Sequence, residues 1–244
     1  MKVFMVSQPA IYWAGVWQFL TSEGHDASLA GAYHSLIGSG SHGDVLPEIG
    51  GRLCYMSFGK GRKTNAEYLK NIIEQKHFSV LEHANWSFII TGVTRSLTHE
   101  LVRHRHFSFS QLSQRYVDES EAEFIVPVAV AEGDNKGITA AFIVAAGAAR
   151  AAYKDLVPKL EAQFAHIENA TERRKAARQI ARAVLPNMTE TKIMVTGNAR
   201  TWREFIEKRN SKFADPEIRT LAQMILAELH KSAPNIFADL VEGK

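Results

Sequence analysis

The spacing of apolar and polar residues changes several times along the chain, and each change marks an element. KVFMV at 2–6 is a short apolar run that predicts a strand. Residues 21–50, rich in Gly, Ser and His (HSLIGSGSHGD), carry no sustained period and read as loop. Thr64-Asn65-Ala66-Glu67 fits a capping box, and Tyr68, Ile72 and Ile73 follow at helical spacing. Ser79-Val80-Leu81-Glu82 repeats the capping pattern over too short a span to define a helix. WSFIIT at 86–91 predicts a strand, TRSLTHELVR at 94–103 a helix, and EFIVPV at 123–128 another strand.

Residues 138–167 are alanine-rich with apolar periodicity, so a long helix is expected, kinked or broken at Pro158. ERRKAARQIARAV at 172–184 predicts a basic amphipathic helix that stops at Leu185-Pro186. TKIMVTG at 191–197 reads as a strand and 199–210 as a helix. Asp215-Pro216-Glu217 opens the last helix with an N-cap, proline at N1 and an acid in the first turn. The class is α+β, with strands scattered among long helices, no internal repeat and no linker. One catalytic domain over 1–244 is expected, with 9–45 as a variable N-terminal loop region.

Composition narrows the function. The 244 residues are 45% hydrophobic and 23% charged, enough to bury a core. With 29 Lys and Arg against 26 Asp and Glu, general attraction to nucleic acid or membrane is not expected. No stretch approaches the roughly 18 apolar residues of a span, no signal-peptide core follows the N-terminus, and a single cysteine suits a reducing compartment. A cytoplasmic location is expected.

Against this balance one stretch stands out, RHRHFSFSQLSQRY at 103–116. His99, His104 and His106 suggest a metal, but the flanking Arg103 and Arg105 oppose a divalent cation and no paired acids accompany them, so none is assigned. Cys54, in GRLCYMSF, reads as a small buried hydrophobe. Neither GxxxxGK[ST] nor a GxGxxG turn is present, and no RNA- or DNA-binding motif appears. RRKAAR at 173–178 reads as a solvated helix face. Clustered arginines followed by serines suit a small phosphorylated ligand, since guanidinium forks match phosphate. Phe107 and Phe109 read as packing residues.

RHR, seven residues and then Ser (Arg103-His104-Arg105 and Ser113), continuing as SQRY, resembles the signature of the flavin-dependent thymidylate synthases. HFSVLEH (77–83), ARQIARAVLPN (177–187) and VTGNARTWREFI (195–206) are similar to the same family, most closely its actinobacterial members. The resemblance implies a central mixed α/β domain with flanking long helices, a homotetramer, and synthesis of dTMP from dUMP. The carbon comes from methylenetetrahydrofolate and the hydride from FAD reduced by NADPH. It implies catalytic roles for Arg209, at the uracil N3–O4 edge, for Ser113 and for His77, near the flavin. FAD would meet Ser79, Arg103, His104, Arg105, Gln111, Asn198, Ala199, Arg200 and Glu204. For dUMP it implies Glu100, Leu101, Val102, Arg103, Gln111, Leu112, Ser113, Gln114, Arg115, Arg182 and Arg209. Tyr116 would shape the pocket. Two positions depart from the family pattern: Glu204 stands where His or Asn is usual, and Phe213 where His is common. These departures motivate the alternative of a catalytically impaired flavin- and nucleotide-binding homologue.

Overall fold

The computed structural model describes residues 1–26, 28, 29, 31 and 41–242. The loop expected over 32–40 lies outside the described residues. Four strands, β1 (Lys2–Ser7), β2 (Asn85–Thr94), β3 (Ser108–Gln111) and β4 (Glu190–Asn198), form one antiparallel sheet in the order β1-β2-β4-β3. The α+β class therefore holds. The chain forms two compact units: residues 1–2, 90–103 and 109–194, and residues 3–89, 104–108 and 195 onward.

The second unit opens with α1 (Trp13–Ser22) and α2 (His42–Tyr55). Helix over 42–50 corrects the loop reading of that stretch. Ser41 caps it by accepting from the Asp44 amide, and Asp44 sits in the first turn, where a carboxylate favours the helix dipole. The capping box at Thr64 is formed as expected and starts α3 (Asn65–Glu74). Phe78–His83 is a short 3₁₀ helix leading into β2. Trp86 and Phe88 of β2, Phe107, Trp202, Phe205 and Phe237 build an aromatic core with edge-on contacts: Phe88–Trp202 at 5.1 Å, Trp86–Phe237 at 5.9 Å. The Trp86 indole donates to Ser232 Oγ at 2.8 Å, so its polar tip is satisfied inside this core. Phe107 is packing, as expected.

In the first unit, α4 (Arg95–Leu101) is capped by Thr94, and a single helical turn, α5 (Val128–Ala131), precedes α6 (Lys136–Gln163) and α7 (Ala170–Ala181), which pack together. α6 runs on through Pro158, so the helix is not broken there. Lys154, four residues earlier, and Pro158 are both exposed. Residues 123–128 are not a strand. They make one bridge, Phe124 to Thr189, with Ile125 donating to Met188 and Glu190 to Glu123, each at 2.9 Å. Pro127 lacks a donor and the chain turns into α5.

α7 also departs from a solvated face. Arg178 donates to the Tyr116 carbonyl at 2.7 Å and to Asp118 at 3.0 Å, and Lys175 lies 5.3 Å from the exposed Tyr116 ring. From α6, Tyr153 accepts from the Glu119 amide at 3.3 Å and Arg150 donates to the Ala122 carbonyl at 2.7 Å. The two helices thus pin the segment that follows SQRY.

β4 is followed by α8 (Ala199–Arg209) and α9 (Pro216–Ser232), the latter capped by Asp215 as expected. α9 is not the last helix. The chain breaks at Ala233, and Pro234, which cannot continue a helix, begins α10 (Pro234–Glu242). Asp44 accepts from the Asn235 and Ile236 amides at 3.2 and 3.0 Å, tying the start of α10 to α2.

Candidate functional site

In the second unit the site residues hang on the 3₁₀ helix, on α8 and on residues 104–108. His104 is half-buried, edge-on to Phe205 at 5.2 Å, and its Nε2 accepts from Arg209 Nε at 3.1 Å. Burial, followed by the charges of Arg209 and Lys208, lowers its pKa to about 4, Glu204 opposing. At neutral pH His104 is therefore an uncharged acceptor and not part of a cationic patch. It fixes the guanidinium of Arg209, in the last turn of α8. Arg105 is exposed.

Asn198 caps α8, its Oδ1 accepting from the Thr201 amide at 2.9 Å, and buried Ala199 donates through its backbone to the Ala84 carbonyl at 2.8 Å. Arg200 pairs with Glu82 at 2.6 Å. His77 and Ser79, both exposed, line a cavity of about 390 Å³ with Lys76, Tyr55, Cys54 and Arg200. Cys54 is thus exposed, not buried. α2 turns Gly51 and Arg52 inward, which leaves its last turn facing solvent. Glu204 is ion-paired with Lys208, which together with His106 and His104 keeps its carboxyl below the ordinary range. Phe213 is 87% exposed.

In the first unit, α4 carries Glu100, Leu101, Val102 and Arg103 at its end. The Leu101 side chain is core, while Val102 and Arg103 are exposed. Gln111 ends β3, an element hidden from sequence reading because its polar side chains, SFSQ, look like loop. The Leu112 amide donates to the Lys192 carbonyl at 2.9 Å, and the chain then turns, Tyr116 and Val117 donating back to the Ser113 carbonyl. Gln114 is buried with Nε2 unpartnered, and Arg115 is half-buried with Nε unpartnered among the described residues. Arg182 lies half-buried in the 3₁₀ turn after α7.

Sequence reading missed Arg95. Its Nη1 is buried without a partner among the described residues. Burial pushes the guanidinium below its ordinary range, Glu119 opposing and nearby Arg182 adding to the effect. The signal was present, since a cation in the first turn of a helix opposes the helix dipole and has no structural reason to be there. Buried donors on Arg95, Gln114 and Arg115 call for an acceptor-rich, anionic ligand.

Fold and site together define an α+β protein equipped to bind anionic ligands through arginine and serine. The family model described as "Thymidylate synthase complementing protein" matches residues 35–235. The flavin-dependent thymidylate synthase of Mycobacterium tuberculosis (strain H37Rv) is 56% identical over 200 residues, 81% of this chain and 79% of the relative. Those of Mycolicibacterium vanbaalenii and Mycobacterium marinum are each 54% identical over the same shares. The chain belongs to the thymidylate synthase complementing protein family.

Proposed function

We propose that the protein is a flavin-dependent thymidylate synthase, which methylates dUMP reductively to dTMP with methylenetetrahydrofolate as carbon donor and NADPH as reductant. The observation that carries this reading is Arg209 held by neutral His104 of the RHR-x₇-S block, in a chain similar over 81% of its length to enzymes of that name.

The residues present fit FAD. Ser79, Lys76 and Arg200 offer a hydroxyl and cations beside the apolar wall of Ile72 and Val80, suited to a diphosphate and a ring. His77, Arg103, His104, Arg105, Gln111, Asn198 and Ala199 are assigned to the same cofactor, His104 and Asn198 acting mainly through what they hold in place. When bound, FAD supplies the hydride. Arg115, Arg182 and Ser113 would hold the dUMP phosphate, with Arg95 added to that set. Glu100, Leu101, Val102, Leu112 and Gln114 complete the nucleotide contacts, together with Arg103 and Gln111, which serve both ligands. Arg209 polarises the uracil carbonyl edge and stabilises negative charge that develops there, a role served by a guanidinium fixed beforehand.

Glu204 does not favour an impaired homologue, because Lys208 neutralises it. A homotetramer is part of the reading. The exposed side of α6 carries Ile143 and Val144, 60% and 70% exposed, in line with exposed Ala140, Gly147, Ala148 and Ala151, an apolar stripe suited to self-association. No helix among the described residues is long and apolar enough to cross a membrane, and a cytoplasmic location is proposed. The deciding experiment is tritium release from 5-tritiated dUMP with FAD, NADPH and methylenetetrahydrofolate present. Release that requires all three is expected; a purified protein that FAD cannot reconstitute and that releases no tritium refutes the proposal.

A further inference from the structure

Thr98 of α4 and Thr191 of β4 are 3% and 0% exposed, and the hydroxyls of both reach Gln111. Thr98 Oγ1 lies 2.9 Å from the Arg95 carbonyl. A carbonyl only accepts, so the hydroxyl hydrogen of Thr98 is committed to it. Toward Gln111 the Thr98 oxygen is then an acceptor, and the amide must present Nε2, at 3.0 Å. The same nitrogen reaches Thr191 Oγ1 at 3.3 Å, which uses its second hydrogen. Turning the amide over would set Oε1 against an oxygen whose hydrogen is already engaged. Back-bonding of a helical threonine to the preceding turn is ordinary. Its use here to direct a second group is what distinguishes this contact. Oε1 of half-buried Gln111 receives no donor among the described residues.

We infer that Thr98 and Thr191 are positioning residues that lock the Gln111 carboxamide as a pure hydrogen-bond acceptor for a ring imide N–H. This rests on the function proposed above, and deepens it. Two rings there carry an N–H between two carbonyls, the uracil of dUMP and the isoalloxazine of FAD. A locked acceptor favours either ring and opposes one that presents a lone pair at the same place, as cytosine does at N3. Sites built to pair with a polar group discriminate strongly against analogues that leave that group unpaired.

The test compares full-length wild type with Thr98→Val, Thr98→Ser and Thr191→Val, each checked for cooperative thermal unfolding. FAD affinity is read by titration of stripped protein, and dUMP and dCMP affinities by perturbation of the flavin spectrum; kcat and KM are measured separately. If the uracil is the partner, Thr98→Val weakens dUMP about tenfold and narrows the preference over dCMP, with FAD affinity kept. If the flavin is the partner, FAD weakens by about the same factor, its visible bands shift, and the dUMP-to-dCMP preference stays. Either pattern, with Thr98→Ser restored toward wild type, supports the lock. Should Thr98→Val fail to fold, Thr191→Val decides by the same measurements. Folded valine variants with unchanged affinities and unchanged preference overturn the inference alone. Wild-type protein that binds neither FAD nor dUMP overturns the underlying reading of the site, and this inference with it.

Discussion

Acidification acts on Arg209 through His104, and only well below neutrality. His104 Nε2 accepts from Arg209 Nε at 3.1 Å, which requires an unprotonated ring nitrogen. Protonation would replace the lone pair with an N–H and set two cations against each other. Burial, with Arg209 and Lys208, holds the imidazole at about 4 against an ordinary value of 6.5. The folded-state value lies below the unfolded one, so the unfolded chain takes up the proton first. The stabilisation is complete above pH 6.5 and is lost as pH falls from there toward 4. A tenfold change in proton affinity corresponds to about 1.4 kcal/mol, which sets a ceiling of about 3 kcal/mol; partial exposure reduces this to about 1–2 kcal/mol. A hydrogen bond to a charged group contributes about 1.5–3 kcal/mol, or roughly 10- to 100-fold in any step that depends on a placed Arg209. NMR titration of the His104 ring and the pH profile of turnover test this. His104 should stay neutral from pH 8 to 6 and titrate near 4. His104→Gln, whose amide oxygen still accepts, should keep most turnover, whereas His104→Ala should lose about 10- to 100-fold. A ring that titrates at 6.5, or wild-type turnover in His104→Ala, refutes the reasoning.

Three further outcomes follow from the packing. A Cβ at Gly197 would fall on the ring edge of Phe107, which packs on Trp202 at 4.3 Å, so Gly197→Ala should cost about 1–3 kcal/mol by thermal unfolding and Phe107→Leu should recover part of it. Arg203 is 4% exposed and forms a fork with Asp239 at 2.7 and 2.6 Å; Arg203→Ala strands that carboxylate and should destabilise by about 2–4 kcal/mol, discounted because Asp239 is half-exposed. Arg178→Ala removes the bonds to Tyr116 and Asp118, so amide exchange should rise at residues 116–120 and the KM for dUMP should increase, while exchange in α9 is unchanged.

The elements that sequence made legible carry their own local signals. Thr64 with Glu67 closes a capping box in four residues, Asp215-Pro216 sets a helix start, and β4 alternates buried Thr191, Ile193, Val195 and Gly197 with exposed Lys192 and Met194. The misread elements depend on partners distant in sequence. β3 is polar because its contribution is a backbone edge and Gln111, so no apolar alternation marks it. Residues 123–128 have strand composition, but among the described residues their only bridge is Phe124 to Thr189. α10 starts at a proline whose following amides are met by Asp44, nearly two hundred residues away. The candidate site divides the same way. Spacing located the arginines, but not the neutrality of His104, which arises from burial against Phe205 and from Arg209.

That division alters what the crowded cations of 103–116 mean. The acids absent from the motif are supplied from elsewhere for several neighbouring arginines: Glu82 for Arg200, Asp118 for Arg178, Asp239 for Arg203. Arg209 differs in that an uncharged ring, His104, accepts from its Nε. Arg95 and Arg115 keep buried nitrogens without acceptors among the described residues, and so does Gln114. A buried donor left unpaired costs about 1–3 kcal/mol, more when charged, and among the described residues this unit keeps five such side-chain nitrogens, on Arg95, Gln114, Arg115, Arg150 and Arg178. Arg150 and Arg178 bind protein acceptors through their other nitrogens, so the donors of Arg95, Gln114 and Arg115 are the ones that suit an anion. By this criterion Arg95, which no motif singles out, ranks with Arg115, and Arg200, which the family resemblance does single out, ranks below both.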